Sequence, residues 1–305
     1  MRIHIDTDIA SNVDDLCALA MVLRWPGAEL VGVTTVADDA GRRAGCARHV
    51  LDSADAGAVP VAAGADVAGG YYRRVRPIRD GADWWSEPIT PAPGPVESAL
   101  ELLRRSIDRG AVIAAIGPLT NLALLDGRHP GILAGAAIVL MGGWIDPPRP
   151  GYPQRGPEED WNLQADPESA AVVLEKGKPL LVPLPVTVET ALRRSHLDRL
   201  DPDDHLHRLI IRQSEAYARE HRQGEDYRSR APQLPDDFLV HLHDPLACAV
   251  ALGWRDGVVM ETIRVETTLT ENGLRQRRSP SGIATTVVTG VDRDRFGEVW
   301  GGVLR

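Results

Sequence analysis

The sequence predicts an α/β protein built on an open, mostly parallel, doubly wound (Rossmann-like) sheet, with a helical side layer near residues 190–240. Three observations carry this expectation. Short β-branched runs alternate with amphipathic segments along most of the chain, which is the pattern of βαβ units. The apolar runs end in Gly, Pro or Asp, the residues that turn a strand into a loop. The chain has 305 residues, 43% hydrophobic and 25% charged, enough to bury one large core. No repeat, low-complexity tract or linker divides it, so residues 1–305 read as a single domain.

The elements follow in order. An alternating run at 2–6 gives the first strand, and apolar spacing over 13–23 gives the first helix. Strands are expected at 30–37, 59–63, 111–116, 137–141 and 180–186, with helices at 40–51, 96–106, 168–176 and 245–252. Two stretches break the rhythm, 69–95 with paired aromatics and prolines and 144–160 rich in Pro and Gly, and both read as long loops of a kind often used for binding. Residues 201–239 are polar and helical and would form the side layer, after which 259–267 and 284–291 make a late strand pair.

Composition excludes several function classes. The apolar runs are too short to cross a bilayer and no signal-peptide core follows Met1-Arg2, so a soluble cytoplasmic protein without membrane partners is expected. Cys17, Cys46 and Cys248 lack the spacing of a disulfide framework or a thiolate zinc site. A net charge of -9 argues against nucleic acid as a partner, since phosphate binding needs clustered basic charge.

The most informative stretch is His4-Ile5-Asp6-Thr7-Asp8-Ile9-Ala10-Ser11-Asn12-Val13-Asp14-Asp15, four aspartates and an asparagine at a strand end and a helix start. Like carboxylates this close raise one another's pKa unless a cation or shared protons relieve them, and oxygen-only donors select a hard divalent ion. Asp14 and Asp15 have an alternative account as helix N-terminal acids favoured by the dipole. The calcium-loop pattern fails for want of its Gly and Glu, and no Walker-type Gly-rich turn ends in Lys-Ser or Lys-Thr. The Asp-x-Asp of haloacid-dehalogenase-type phosphatases fits Asp6-Thr7-Asp8. Its later lysine and Gly-Asp-x-x-x-Asp motif have no counterpart here.

With Asp14-Asp15 added, the segment resembles the opening signature of the inosine-uridine-preferring nucleoside hydrolase family. Further motifs follow in that family's order: Gly32-Val33-Thr34-Thr35-Val36-Ala37, Gly117-Pro118-Leu119-Thr120-Asn121, Met141-Gly142-Gly143, Asp160-Trp161-Asn162 before Asp166-Pro167-Glu168, and His243-Asp244-Pro245-Leu246-Ala247. The resemblance implies hydrolysis of the N-glycosidic bond of a ribonucleoside to ribose and free nucleobase, a step of purine and pyrimidine salvage. It implies a calcium ion (Ca2+) held by Asp8, Asp15, Asp244 and the main-chain carbonyl of Thr120. Asp8 or Asp14 would take the proton of the attacking water, and His243 would protonate the leaving base. Asp14, Asp39, Trp84, Met141, Gln154, Asp160 and Asn162 would contact the nucleoside. A homo-oligomer, dimer or tetramer, is implied as well.

The chain departs from the family pattern in places. Two extra residues separate Asp8 from Asp14, and Ala10 stands where a longer variant of the motif has glycine. Asp39 replaces a ribose-contacting asparagine, Asp160 a longer glutamate, and Gln154 and Val188 stand where other polar contacts are common. These changes gather on the side that meets the 5′ end of the substrate. They keep open an altered N-ribosyl or 5′-modified substrate, and a catalytically silent nucleoside- or ribose-binding protein.

Overall fold

A computed structural model describes residues 1–221 and 230–305. Strand β1 (Arg2–Thr7) leads to α1 (Asp14–Arg24), β2 (Glu29–Thr35), α2 (Arg42–Ser53) and a two-residue β3 (Val61–Ala62). Then come α3 (Ala82–Trp85), α4 (Val96–Asp108), β4 (Val112–Ala115), α5 (Thr120–Arg128), β5 (Ile138–Met141), α6 (Trp161–Gln164), α7 (Pro167–Lys176) and β6 (Leu180–Val182). The side layer holds α8 (Leu184–Thr187), β7 (Ala191–Arg193), α9 (Arg194–Leu197), α10 (His205–His221) and β8 (Phe238–His241). Helix α11 (His243–Ala251), strands β9 (Val258–Thr270), β10 (Gly273–Arg278) and β11 (Ile283–Val291), and helix α12 (Arg293–Val303) complete the chain.

The main sheet has nine strands in the order β10-β9-β11-β6-β5-β4-β1-β2-β3, parallel from β3 to β11, with β9 antiparallel to both its neighbours. Its β3-β2-β1-β4-β5-β6 portion is the doubly wound order, and the chain reverses direction across the sheet between β1 and β4. That reversal opens a crevice at the carboxyl ends of these strands, the place where open α/β sheets bind ligands.

Several expected boundaries move, each for a local reason. The run at 180–186 stops as a strand at Val182, because Pro183 and Pro185 remove main-chain donors and Leu184–Thr187 turns helical instead. The side layer carries an antiparallel β7–β8 pair as well as helices, and residues 222–229 of the expected polar helical stretch lie outside the described residues. The late strand pair gains an edge partner, β10, whose Arg275, Arg277 and Arg278 disguise it as a loop in the sequence. Helices α5 and α12 were not expected from apolar spacing.

Alternation along β1 divides the core. Ile3 and Ile5 face a cluster containing α1, α11 and α12, while His4 and Asp6 face α4 and α5. Two polar residues inside a central strand need partners, and they have them. His4 Nδ1 lies 2.9 Å from Ser106 Oγ, and Nε2 lies 2.9 Å from Thr34 Oγ1. Thr34 Oγ1 donates to Asp6 Oδ1 at 2.5 Å, so it accepts from His4 Nε2–H, which leaves Nδ1 to accept from Ser106. Asp6 Oδ1 also accepts from Asn121 Nδ2 at 2.8 Å. This chain of bonds joins β1, β2, α4 and α5 beneath the crevice.

Burial holds the His4 imidazole down at about 3 and pushes the Asp6 carboxyl up to about 7. A depressed histidine contributes stability that is present above the unfolded pKa of about 6.5 and is lost as pH falls below it. The raised Asp6 acts in the opposite direction, gaining protons on folding between about pH 4 and pH 7. In wild type these two contributions offset one another among those of other buried groups, and a difference measurement isolates His4. His4→Gln is expected to be destabilising at pH 7, with the deficit relative to wild type shrinking by roughly 1 kcal/mol per pH unit between pH 6 and pH 4 in urea unfolding. A deficit independent of pH would mean that His4 is not held neutral.

Candidate active site

Two buried helices deliver carboxylates to the crevice. Helix α1 is buried from Asp14 to Val22 and α11 from His243 to Ala251. Each begins at the carboxyl end of the strands, so the positive ends of both helix dipoles point at the same space. Val13 and Leu242 occupy the N-cap positions, and neither side chain can cap. The aspartates behind them therefore have a role beyond capping. Oxygens of Asp14, Asp15 and Asp244 lie within 4.8 Å of one another, all buried. Asp8 lines the same cavity, and its Oδ2 accepts from Trp161 Nε1 at 2.9 Å.

The turn that carries Asp8 is tied from below. Ala10 adopts φ +75°, a left-handed conformation costly for a residue with a Cβ, at the position where glycine is common. Arg43, fully buried in α2, donates from Nε to Ala37 O at 2.8 Å and from Nη1 to Ile9 O at 2.7 Å, Ser11 Oγ at 2.8 Å and the Asp8 carbonyl. Arg79 adds bonds to Ala10 and Ser11 from the long loop: its N donates to Ala10 O and its Nη1 to Ser11 O. Thr7 Oγ1 donates to Asp15 Oδ1 and accepts from Ile9 N at 3.1 Å, joining the two ends of the turn. No spacing in the sequence marks Arg43 as part of this site.

Crowding governs the electrostatics. Burial pushes Asp15 and Asp244 well above the usual carboxylate range, and the charges of the neighbouring aspartates push them further. Asp14 rises to about 6, again chiefly by burial, with Arg76 and a hydrogen bond to Asp244 pulling it back. An all-oxygen donor set that repels its own charge is the chemistry that accepts a hard divalent cation.

The crevice is a cavity of about 300 Å³. Of the residues expected from sequence, it brings together Asp8, Asp14, Asp15, Met141, Asp160, Asn162, His243 and Asp244. Asn162 Nδ2 donates to Met141 O at 3.0 Å, which leaves its Oδ1 as an acceptor beside the carboxylates. Burial lifts Asp160 to about 6, although its oxygens accept from Gly143 N and Leu163 N.

Four of the residues expected from sequence are not among those that line the cavity. Thr120 does not line the cavity; its Oγ1 donates to Asp166 Oδ2 at 2.6 Å, and the β4 end contributes Ile116 to the wall instead. Asp39 is half exposed and pairs with Arg42 at 3.1 Å on the outer surface. Gln154 is exposed and donates to Arg149 O and Tyr152 O, folding back on its own loop. Trp84 is buried away from the cavity: Nε1 donates to Glu220 Oε1 at 2.7 Å, and the ring meets Tyr217 edge to face. The adjacent indoles fasten the long loop to α10, with Trp85 fully buried, because that much apolar surface is more stable packed than facing solvent. Sequence reasoning missed the cavity arginines Arg76, Arg79 and Arg155.

His243 sits at the cavity wall with Nδ1 2.7 Å from Thr187 Oγ1. Thr187 Oγ1 donates to Leu184 O, so it accepts from His243 Nδ1–H, and the neutral tautomer presents Nε2 as a lone pair. Burial holds this imidazole well below its ordinary value, and the nearby His241, Arg155 and Arg76 add to the effect. Burial thus favours the neutral form of this imidazole, with Nε2 turned to the cavity side of the ring pair.

Comparison with known proteins gives the fold and the family. The chain is 30% identical over 213 residues to the non-specific ribonucleoside hydrolase RihC of Salmonella enteritidis, a match covering 65% of this chain and 66% of that one. It thus spans about two thirds of the curated relatives it matches. A plant nucleoside hydrolase superposes with a TM-score of 0.79 at 22% identity, covering 99% of this chain and 98% of that one. The purine-preferring ribonucleoside hydrolase from Gardnerella vaginalis gives 0.73 at 21% identity, covering 100% and 98%. These two establish the fold. The family model for inosine-uridine preferring nucleoside hydrolases matches residues 3–298, and the chain belongs to that family.

Proposed function

We propose that this protein hydrolyses the N-glycosidic bond of ribonucleosides, releasing ribose and a nucleobase, with a calcium ion held at the crevice. The observation that carries the reading is the convergence of Asp14, Asp15 and Asp244 in one buried cluster beside Asp8. Asp8, Asp15 and Asp244 would hold the ion, and a main-chain oxygen from the β4 end would come from Ile116 rather than Thr120. When bound, the ion supplies positive charge that orients a vicinal diol and makes water more acidic.

The chain's own groups do the remaining work. Water attacks C1′, and the Asp8/Asp14 pair accepts its proton; Asp8 Oδ2 is engaged by Trp161, which leaves Oδ1 for that role. Asn162 Oδ1 accepts a hydrogen bond from a ribose hydroxyl. As the bond to the base lengthens, the carboxylates stabilise the positive charge that develops on the sugar. His243 Nε2 takes a proton from solvent before the bond breaks and passes it to the departing nucleobase nitrogen, and the proton held by the carboxylate pair returns to solvent after ribose leaves. A homo-oligomer and a cytoplasmic location belong to the same reading and rest on family likeness alone.

The direct test is release of reducing sugar from a panel of nucleosides, with and without a chelator. Ribose release that chelation abolishes supports the reading, and a panel without any turnover overturns it. Two variants test the ligand set. Asp15→Ala and Asp244→Ala are each expected to abolish calcium binding in calorimetry, because each removes a charged donor from a site with few others. Unchanged affinity in both would mean that the cluster is not the ion site.

His243→Ala tests the leaving-group role by difference. It is expected to slow purine nucleosides by about a hundred- to ten-thousand-fold, the usual contribution of positioned acid catalysis. A nitrophenyl riboside, whose leaving group needs no proton, should keep most of its rate. Equal losses on both substrates would assign His243 to holding the start of α11 in place.

A further inference from the structure

Two arginines in this cavity have no carboxylate or side-chain hydrogen-bond partner among the described residues. Arg76, Arg79 and Arg155 all line it. Arg79 is committed: it pairs with Glu220 at 3.0 Å and donates to Ser11 O at 2.6 Å. Arg76 and Arg155 are half buried, and neither has an ion-pair or side-chain hydrogen-bond partner among the described residues. Arg76 lies 4.3 Å from the centroid of the Trp161 ring, a contact that uses the flat face of the guanidinium and leaves its N–H edge unspent.

Neither group is a counter-ion in contact with the acidic floor. Asp8 gives its Oδ2 to Trp161, and the oxygens of Asp160 accept from Gly143 and Leu163 main-chain donors. Glu159 is turned back onto Gly156 N at 2.9 Å. Both arginines line the same cavity as His243 and the carboxylates, so they border the reacting centre rather than an outer surface. Gln154 and Asp39, the neutral and acidic groups expected to meet hydroxyls, are both turned away from the cavity. What remains in the cavity lining, near the carboxylates but not hydrogen-bonded to them among the described residues, is a pair of guanidinium forks with free N–H edges.

We infer that the substrate is an N-ribosyl compound carrying a negative charge, a phosphate on the sugar or a carboxylate on the base, recognised by Arg76 and Arg155. This rests on the N-ribosyl hydrolase reading and narrows its substrate class. A neutral nucleoside offers guanidinium groups only uncharged acceptors, whereas a phosphate or carboxylate accepts their N–H edges in pairs with the added strength of opposite charge. The carboxylate floor and the basic wall then hold opposite ends of one ligand.

The test compares uridine, uridine 5′-monophosphate and 6-carboxyuridine as substrates of the calcium-loaded protein, with Arg76→Gln, Arg155→Gln and the double variant. One of the two anionic compounds is expected to exceed uridine in kcat/KM by at least about 10-fold, and which one identifies where the charge sits. Each single variant should reduce that preference by about 10- to 100-fold, mainly through KM. Calorimetric binding of ribose 5-phosphate, ribose and 6-carboxyuracil supplies a readout independent of turnover. Uridine as the best substrate, with every variant slowing all three compounds equally, overturns the inference and leaves the hydrolase reading standing. Selective, arginine-dependent binding of an anion without any ribose release supports the inference on ligand charge and defeats the hydrolase reading. An absence of both binding preference and turnover defeats both.

Discussion

The constraint on which this structure depends is the burial of Asp8, Asp14, Asp15 and Asp244 around one small space. Two unit charges about 4 Å apart repel by about 4 kcal/mol at an effective dielectric constant of 20, and four such groups multiply that repulsion. A fold that keeps them there must supply opposing terms. The topological switch between β1 and β4 opens the space, and α1 and α11 aim their positive ends at it. Protons held at raised pKa values relieve what those terms leave. Any cation the cluster took up would replace those protons and stabilise this end of the molecule by the same free energy with which it bound.

The same constraint explains the turn at residues 8–11. A left-handed Ala10 costs about 1–2 kcal/mol, so the turn would not hold this shape by its own preference. Arg43 imposes it by collecting the carbonyls of Ala37, Asp8 and Ile9 on one buried guanidinium. Its charge also offsets part of the neighbouring acid, most directly at Asp15. One residue thus fixes the geometry of the metal-side turn and moderates its field. Removing it would leave buried acceptors unpaired as well as unbalanced carboxylates.

The sheet was legible because parallel βαβ units leave apolar runs with sharp ends. β1, β2, β4 and β5 were expected within a few residues of where they lie, and the cluster at Asp8, Asp14, Asp15 and Asp244 stood out as a density of charge. What could not be read is set by contacts distant in sequence. Arg43 reaches Asp8 across 35 positions, and Trp161 reaches it across 153. Asp39 was expected at the ribose, but Arg42, three residues on, draws it to the surface. Gln154 finds carbonyls within its own loop, and Trp84 finds α10. In each case the side chain's chemistry was read correctly and its nearest partner was not. Thr120 and Ile116 lie four residues apart around the same Gly-Pro turn, and motif position alone does not say which of them faces the cavity.

Trp161 accounts for the coexistence of acidic floor and basic wall without collapse into ion pairs. Its indole donates from Nε1 to Asp8 while its face receives Arg76, so one rigid ring stands between a carboxylate and a guanidinium that would otherwise pair. A direct pair would cancel the charge on both groups. The indole holds each with a weaker contact: a neutral donor for the carboxylate and a quadrupole for the cation. Arg74 lies over the same ring at 5.2 Å and is held outward by a bond to Glu158 O. The Asp160-Trp161-Asn162 segment therefore places three functions in three residues. Asp160 caps α6 and fixes Gly143, Trp161 separates the charges, and Asn162 presents its carbonyl oxygen to the space between them.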